Sequence, residues 1–388
     1  MLICASCGKS YPDHAFQWHC ACGGAFAYRG HTCFDPEAIK SRPSGLWRYR
    51  EALPVEGERP VSFSESMTPL FETNWDGTPV HFKLDYLLPT GSFKDRGTSV
   101  LVSKLKEMGI TEIVEDSSGN AGASIAAYCA LAGIRCHIYV PTDTATGKTV
   151  QIELYGAHLV RVAGNREDTA VAVREAASRL YYASHNWNPF FLEGVKTLAF
   201  EIWEQLGCRA PDNIVVPTGY GSLVLGVYYG FTDLREQGLI TRSPRIFAVQ
   251  AKASAPLYKA YIEGLPAPPP DFKGQATAAE GIACSVPVRG AEVLQAVRIS
   301  GGTFVTVGEE DIWTGLQGLA VRGLYVEPTS AVVAKAITSL RSRGFLVAGE
   351  ITVSVLSGAG TKATAKIQEK MAPRLSRHGG PTTGGRPE

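Results

Sequence analysis

Apolar and polar positions along this chain define short strand-like segments that alternate with longer helical ones. The apolar runs predict strands at residues 80–84, 112–115, 136–140, 158–162, 213–217, 246–250 and 351–356. Helices are predicted to start near residues 95 and 121, and to cover residues 149–155, 166–180 and 194–206 and a run through residues 226 and 229. Such alternation is typical of an α/β protein built on parallel sheets.

The length of 388 residues exceeds what a single hydrophobic core usually supports, so we expect more than one domain. The break HNWNP at residues 185–189 is predicted to return the chain from a smaller inserted domain to a larger one. The predicted units are a segment at 1–30, a large domain at 46–92 and 186–372, a small domain at 93–185 and a disordered tail at 373–388.

One lysine, Lys94, lies between a Pro/Gly turn and a predicted helix start, in the segment PTGSFKDRG of residues 89–97. A lysine held at a helix entrance can be partly desolvated, and its ε-amine can then act as a nucleophile toward an aldehyde. Taken alone, the same segment also fits an exposed helix start with mixed charges.

A second candidate loop, SSGN at residues 117–120, follows the strand at 112–115 and opens a helix. Its hydroxyls and free backbone N–H groups suit a carboxylate or phenolate oxygen, although an ordinary helix cap has the same composition. A third loop, PTGYGSL at residues 217–223, also links a strand to a helix. Its glycines allow the backbone to approach a phosphate, and it matches neither the dinucleotide-binding nor the P-loop motif.

These three features together meet the needs of pyridoxal 5′-phosphate, an aldehyde with a phosphate and a phenolic oxygen. Further segments occur in a matching order: LWRYR at 46–50, MTPL at 67–70, VEPTS at 326–330 and SGAGTK at 357–362. From residue 46 to 362 the chain resembles the fold-type II pyridoxal-phosphate enzymes, and among them the threonine synthase family. The resemblance implies a tryptophan synthase β-like α/β fold, with two three-layer αβα domains and the cofactor in the cleft between them.

The resemblance also implies roles for individual residues. Lys94 would form the internal Schiff base and move protons at the substrate Cα. Asn120 would bind the cofactor's 3′-oxygen, and Ser357 would face its ring nitrogen. The cofactor phosphate would lie on Gly219, Tyr220, Gly221, Ser222 and Leu223, where Tyr220 and Ser222 replace glycines of many relatives. The substrate carboxylate would lie on Ser117, Ser118 and Asn120.

A lyase of the threonine synthase type converts O-phosphohomoserine and water to threonine and phosphate by γ-elimination and β-addition, and needs a second phosphate site. Candidates are Thr90, Ser92, Arg96, Lys148 and Lys196. Arg96 fits an ion-paired helix residue equally well, and Lys148 fits a solvated loop lysine. Related β-replacement or β-elimination enzymes, similar to cysteate or cysteine synthase or to serine/threonine dehydratase, need no such cluster and are the alternative. A homologue that has lost catalysis is disfavoured by the intact Lys94 and Asn120.

Four cysteines form two close pairs near the N-terminus: Cys4, Cys7, Cys20 and Cys22. Paired thiolates of this kind make tetrahedral zinc sites, and a thirty-residue segment with little core would need the metal to fold. The second pair is closer than usual, and His19, His31 and Cys33 are near enough to substitute. A structural zinc ribbon is predicted, with four free thiols as the alternative.

Lysine and arginine total 38 against 37 acidic residues, a net charge of +1 that indicates neither nucleic-acid nor membrane binding. The sequence contains no apolar run of transmembrane length and no apparent export signal. The cysteines outside the N-terminal cluster fit reduced, structural thiols, so we expect a cytoplasmic protein. The expected partner is a small-molecule amino-acid substrate, and fold-level analogy suggests a homodimer.

Overall fold

The computed structural model describes residues 1–30, 33–57, 59–144, 146–164 and 166–375, with the side chains of residues 146, 148, 166 and 373–375 excluded. His31, an alternative zinc ligand, lies outside the described residues, as does residue range 376–388 of the predicted tail. The last helix extends to Leu375, three residues into the segment predicted as tail.

The strands of the described residues form three sheets. Their bounds are β1 (Leu2–Cys4), β2 (Ser10–Tyr11), β3 (Phe26–Tyr28), β4 (Leu70–Trp75), β5 (Thr78–Lys83), β6 (Glu112–Glu115), β7 (Arg135–Pro141), β8 (His158–Val162), β9 (Tyr181–Tyr182), β10 (Asn213–Pro217), β11 (Arg245–Ala251), β12 (Thr303–Val307) and β13 (Thr352–Val355). The seven predicted strands all appear, with ends that differ by at most two residues.

The helices of the described residues are α1 (Pro36–Lys40), α2 (Lys94–Glu107), α3 (Asn120–Ala132), α4 (Thr146–Leu154), α5 (Arg166–Ala176), α6 (Pro189–Val195), α7 (Thr197–Gln205), α8 (Ser222–Glu236), α9 (Pro256–Ile262), α10 (Gly290–Ile299), α11 (Glu309–Ala320), α12 (Pro328–Ser342) and α13 (Thr364–Leu375). Short 3₁₀ turns cover residues 46–52, 85–87, 280–282 and 360–363. None of these helices has both the length and the apolarity required to cross a bilayer.

Two helix predictions differ from the structure. The predicted helix at 194–206 is instead the pair α6 and α7, which meet at Lys196. There the Ala199 N–H donates to the Lys196 carbonyl three residues earlier, so the backbone tightens into a 3₁₀-like turn between the two helices. The helix predicted over 166–180 ends at Ala176, because the chain then enters the short strand β9.

The larger sheet has six strands in the order β12-β11-β10-β13-β5-β4. Its pairs are parallel except for β4 with β5, which is antiparallel. Every residue of the central strands β10 and β13 is buried, as expected for parallel strands covered by helices on both faces.

The smaller sheet has four parallel strands in the order β8-β7-β6-β9. It spans residues 112–182, inside the segment 93–185 that was predicted as the small domain. In a parallel sheet the carboxyl ends of all strands lie at one edge, where ligands of α/β proteins usually bind. The loops that follow β6, β10 and β13 carry candidate site residues at such edges.

The N-terminal segment forms a third sheet, antiparallel and ordered β2-β1-β3, which packs on the rest of the chain. The Trp18 ring centroid lies 4.9 Å from that of Trp187 and 5.2 Å from that of Tyr182, each in an edge-on contact. Arg289 donates to the carbonyl oxygens of Phe26 and Trp187. Aromatic packing and hydrogen bonds therefore hold this segment against the β9–α6 connection.

Candidate active site

One cavity of about 760 Å³ brings together the loops that follow β6, β10 and β13. The predicted site residues that line it are Lys94, Ser117, Ser118, Asn120, Gly219, Tyr220, Gly221, Ser222, Leu223 and Ser357. Three loops that are far apart in the sequence meet because each follows the carboxyl end of a parallel strand.

Lys94 is the first residue of α2 and is only partly buried among cavity-lining groups. Its Nζ lies 4.5 Å from the ring centroid of Phe93 and 5.6 Å from that of Phe191. Burial lowers the pKa of Lys94 to about 8, against the charges of Glu115 and Glu327, which act to raise it. The neutral fraction of this amine near pH 7 is therefore far larger than that of an ordinary lysine, which favours a role as nucleophile or proton acceptor.

The loop of residues 219–223 connects β10 to the start of α8. Gly221 has φ +94°, and a Cβ there would lie 2.2 Å from Val293 Cγ2. A Cβ at Gly219 would lie 2.8 Å from the Ile282 Cα, so larger residues do not fit at either position. The first N–H groups of α8 have no intrahelical acceptor and carry the positive end of the helix dipole, an arrangement that suits an anion such as a phosphate.

Asn120, the first residue of α3, donates from Nδ2 to both carboxylate oxygens of Glu327, each at 3.1 Å. Burial raises the pKa of Glu327, while the Asn120 hydrogen bond and the charges of Lys362 and Lys94 act to lower it. Sequence reasoning assigned no role to Glu327, although it lies in the VEPTS segment. A glutamate at the start of a buried helix was the signal available there.

Ser357 follows β13, lines the cavity and is 2% exposed. Its Oγ lies 3.0 Å from Ser330 Oγ, which also accepts from the Ser357 and Gly358 backbone N–H groups at 3.0 and 2.8 Å. This network fixes the Ser357 hydroxyl as a neutral hydrogen-bonding group in the cavity wall.

Lys362 also lines the cavity, and sequence reasoning gave it no role. Its Nζ is buried and has no hydrogen-bond partner among the described residues. Burial lowers its pKa, and the charges of Glu327 and Asp95 oppose that shift. A buried ammonium group without a partner is a favourable contact for an anionic ligand.

A further cavity residue without a predicted role is His185, whose Nδ1 lies 2.7 Å from Glu115 Oε1. Both side chains are buried, with 6% of His185 and none of Glu115 exposed. The two residues are 70 positions apart, so no local sequence pattern connects them.

Arg96 does not reach the cavity, which corrects its assignment as a substrate ligand. Its guanidinium is fully buried and binds Asp85 at 2.7 and 2.8 Å and Glu201 at 2.7 and 2.8 Å. Lys83 completes the cluster with Nζ 2.8 Å from Glu201. Two buried carboxylates already satisfy this guanidinium, so the ion-paired alternative describes Arg96.

Lys196 is likewise directed away from the cavity. Its Nζ lies 2.5 Å from Glu193 and 2.7 Å from Asp233, and the side chain is 2% exposed. The two carboxylates raise the pKa of Lys196 although burial alone would lower it. This lysine joins α6 to α8 and is not available to a substrate.

The other candidates for a distal phosphate give a mixed picture. Ser92 is fully buried and is not among the residues that line the cavity, and its hydroxyl has no hydrogen-bond partner among the described residues. Thr90 lines the cavity, but its hydroxyl donates to Asp95 at 2.6 Å. Lys148 lies in α4, and its side chain is outside the described part of the structure.

The four N-terminal cysteines converge, with all their Sγ atoms within 4.8 Å of one another. The Sγ atoms of Cys4 and Cys22 are 3.5 Å apart, and those of Cys7 and Cys20 are 3.6 Å apart. Tetrahedral zinc with four thiolates needs sulfur–sulfur distances of about 3.8 Å, from Zn–S bonds of about 2.3 Å. The close second pair therefore fits a metal without help from His19, whose Nδ1 is 2.7 Å from the Cys20 carbonyl oxygen.

Comparison with known proteins matches residues 61–358 to the family of pyridoxal-phosphate dependent enzymes. The threonine synthase of Methanocaldococcus jannaschii is 34% identical, covering 92% of each chain. That of Methanosarcina acetivorans is 34% identical, covering 92% of this chain and 91% of the other. The structure of an L-serine ammonia-lyase from Rhizomucor miehei shares the fold, with a TM-score of 0.68 at 19% identity. The match covers 79% of this chain and 98% of the other. The chain therefore belongs to the fold-type II pyridoxal-phosphate dependent enzymes and, within them, to the threonine synthase family.

Proposed function

We propose that this protein is a threonine synthase, which uses pyridoxal 5′-phosphate to convert O-phosphohomoserine and water into threonine and phosphate. The observation that carries the proposal is the convergence of Lys94, the 117–120 loop and the 219–223 loop on one cavity. Similarity to proteins named threonine synthase over 92% of the chain supports the same reaction.

When bound, pyridoxal phosphate supplies an aldehyde for an amine and a conjugated ring that withdraws electrons from the substrate Cα. The cavity residues fit each of its groups. Loop 219–223 would hold the phosphate, Asn120 would donate to the phenolic oxygen, and Ser357 would face the ring nitrogen. Since a hydroxyl cannot keep that nitrogen protonated as a carboxylate would, proton placement falls to Lys94.

Lys94 would carry the cofactor and then serve as the acid–base group at the substrate Cα. With its pKa lowered to about 8, the amine can both accept and return a proton near neutral pH. Its place at the first residue of α2 fixes the amine against the cavity wall.

The substrate carboxylate would lie at the start of α3. Ser117 and Ser118 supply hydroxyls there, and Asn120 begins the helix whose positive dipole end favours an anion.

The leaving phosphate of O-phosphohomoserine needs cations of its own. Among the described side chains that line the cavity, the lysines are Lys94, Lys362 and Lys366. Lys366 donates to Glu280 at 2.8 Å, so Lys362 alone combines burial with the lack of a protein partner. Lys148, whose side chain lies outside the described part of the structure, stays a predicted second cation.

This modest set of cations supports a second candidate function. A β-replacement or β-elimination enzyme, similar to cysteate or cysteine synthase or to serine/threonine dehydratase, acts on another amino-acid donor and needs no distal phosphate cluster. The burial of Arg96 and Lys196 in ion pairs is the observation that favours this alternative.

For the N-terminal segment we propose a structural zinc ion held by Cys4, Cys7, Cys20 and Cys22, as the convergence of the four Sγ atoms supports. A ribbon of this kind, docked through Trp18, would stabilise the fold and take no part in the chemistry. By analogy with the family we further propose a cytoplasmic homodimer.

The test begins with the visible absorbance of the purified protein before and after borohydride. Phosphate release from O-phosphohomoserine and threonine formation are then measured, with Lys94→Ala beside Lys106→Ala, an exposed lysine of the same helix. If the protein is a threonine synthase, the wild type and Lys106→Ala should show the visible band and form both products. Lys94→Ala should show neither the band nor the products. A band without either product would move the substrate to a donor such as O-acetylserine or serine. The absence of a band would overturn the enzyme assignment.

A further inference from the structure

His185 lines the cavity and contacts Glu115, and the two residues come from neighbouring strands of the smaller sheet. Glu115 is the last residue of β6, and His185 lies three residues beyond the end of β9. The strands are parallel, with Val114 opposite Tyr182 and the Ala183 N–H donating to the Val114 carbonyl at 2.9 Å. Both residues therefore emerge at the same carboxyl edge, which forms one wall of the cavity.

The contact between them orients the imidazole. Glu115 is fully buried, and its Oε1 lies 2.7 Å from Nδ1 of His185. The favoured arrangement is therefore a hydrogen bond from Nδ1–H to the carboxylate. Neutral His185 then has its lone pair on Nε2. A carboxylate that fixes the tautomer of a cavity-lining imidazole is the arrangement by which many enzymes position a general base.

The location of this pair defines which part of a ligand it would meet. His185 shares its wall with the 117–120 loop, where the substrate carboxylate is proposed to lie. Lys94 is near enough that the Glu115 charge raises its pKa. Among the described residues, the charged groups that act on Lys94 here are Glu115 on β6 and Glu327 before α12. The imidazole therefore lines the same cavity as Lys94 and the loop proposed to hold the substrate carboxylate.

We propose that His185, oriented by Glu115, is the general base for the water that adds to the substrate Cβ, an inference that rests on the proposed threonine synthase function. In this step a water O–H bond breaks, its proton passes to Nε2 of His185, and the oxygen forms the new bond to Cβ. The π electron pair of the Cα=Cβ bond forms the Cα–H bond with a proton from the Lys94 ammonium. One proton is accepted and one is donated, so the charges balance.

Because one proton is taken from water while another is given to Cα, the step needs a proton acceptor in addition to Lys94. Lys94 must be a proton donor to Cα at the moment when the water loses its proton, and one amine cannot do both. Among the described residues that line the cavity, His185 is the one histidine, and the buried Glu115 carboxylate lies 2.7 Å from its Nδ1.

The test measures the ratio of threonine to phosphate for three variants. His185→Gln removes the base, and Glu115→Gln removes the group that orients it. His158→Gln is the matched control, because His158 is exposed on β8 outside the cavity. When water is not activated, the Cα=Cβ product leaves unhydrated and hydrolyses to 2-oxobutyrate and ammonia, while phosphate is still released.

We expect about one threonine per phosphate in the wild type and in His158→Gln. In His185→Gln, hydration slows by about 100-fold, the usual scale for a lost general base, and 2-oxobutyrate replaces most of the threonine. Glu115→Gln produces the same change to a smaller degree and shifts the pH profile of threonine formation. A role limited to joining β6 to β9 would lower both products together and leave their ratio unchanged.

A second measurement does not depend on catalysis. The Nδ1–H bond to a buried carboxylate should give a low-field imidazole proton signal in the ¹H NMR spectrum, lost in His185→Gln and Glu115→Gln and kept in His158→Gln. An unchanged product ratio in a folded His185→Gln overturns the base assignment while threonine synthase stands. If His185→Gln does not fold, the ratio in Glu115→Gln decides. A wild type that releases no phosphate from O-phosphohomoserine overturns both proposals.

Discussion

The side-chain amide of Asn120 donates to both carboxylate oxygens of Glu327, each at 3.1 Å, across a sequence separation of 207 residues. This contact joins the start of α3, which follows β6 of the smaller sheet, to the residue that precedes α12. It also places a buried carboxylate where its charge raises the pKa of Lys94. Glu327 therefore affects both a proposed cofactor ligand and the proposed nucleophile.

Replacing Glu327 with glutamine should lower the pKa of Lys94 below its wild-type value of about 8, because a negative charge that favours the ammonium form is lost. The neutral amine is the reactive form, so the rate at which the cofactor-free protein takes up pyridoxal phosphate rises with pH through this pKa. Stopped-flow absorbance should place the midpoint near pH 8 in the wild type and lower in Glu327→Gln. Glu280→Gln, which alters a cavity glutamate paired with Lys366, is the control. A midpoint that stays or rises would contradict the expectation.

Replacing Arg96 with methionine should destabilise the protein by about 3–5 kcal/mol, because Asp85 and Glu201 would be left buried without their partner. Urea unfolding measures this loss of unfolding free energy. Arg96→Lys should lower the unfolding free energy by a smaller amount, since an ammonium group cannot bind both carboxylates with paired N–H groups. A variant with unchanged stability but weaker substrate binding would return Arg96 to the active site.

The Glu201 carboxyl predicts a specific loss of stability in acid. Burial alone would raise its pKa, but the charges of Arg96 and Lys83 lower it to about 2, below the ordinary 4.5. Between these two pKa values the unfolded chain thus binds more protons than the folded one. The contribution of Glu201 to the free energy of unfolding is therefore complete above pH 4.5 and is lost as the pH falls toward 2. Unfolding free energy measured across this range should fall less steeply in Glu201→Gln than in the wild type. Equal slopes would show that Glu201 carries no such linkage.

Gly221→Ala should weaken the binding of pyridoxal phosphate by about tenfold or more, since it adds a Cβ 2.2 Å from Val293 Cγ2 and distorts the proposed phosphate loop. Fluorescence or absorbance titration measures the affinity. Gly238→Ala is the matched control, because Gly238 has a similar φ of +73° with nothing within 4 Å of the added Cβ. It should lose about 1 kcal/mol of stability through backbone strain and keep the cofactor affinity.

The purified protein should contain one zinc ion per chain, and Cys7→Ser should lose it, because the remaining three thiolates form an incomplete site. Metal analysis and zinc release to a colorimetric chelator measure the content. Loss of zinc should increase the solvent exposure of Trp18, seen as a red shift in fluorescence, while the cofactor band remains. Cys208→Ser, which removes an exposed cysteine, should change neither. Full zinc content in Cys7→Ser would point to a different ligand set.

The strand pattern and the three loops could be predicted from the sequence, because parallel strand ends share an edge and small residues at helix starts are a local signal. The partners that complete the cavity could not. Glu327 meets Asn120 across 207 positions, and His185 meets Glu115 across 70. Whether Arg96 faces the cavity or the core depended on Glu201, 105 residues away, which no local pattern indicates.

The Arg96 cluster also determines how the protein should respond to concentrated salt. Its two cations and two carboxylates sum to no net charge, and all four side chains are at most 1% exposed. Dissolved ions screen charges that they can approach, so they have little access to this cluster. The Lys366–Glu280 pair at the cavity is 35% and 48% exposed and lies within their reach. High ionic strength should therefore weaken the Lys366–Glu280 ion pair while the ion pairs of the Arg96 cluster keep their strength.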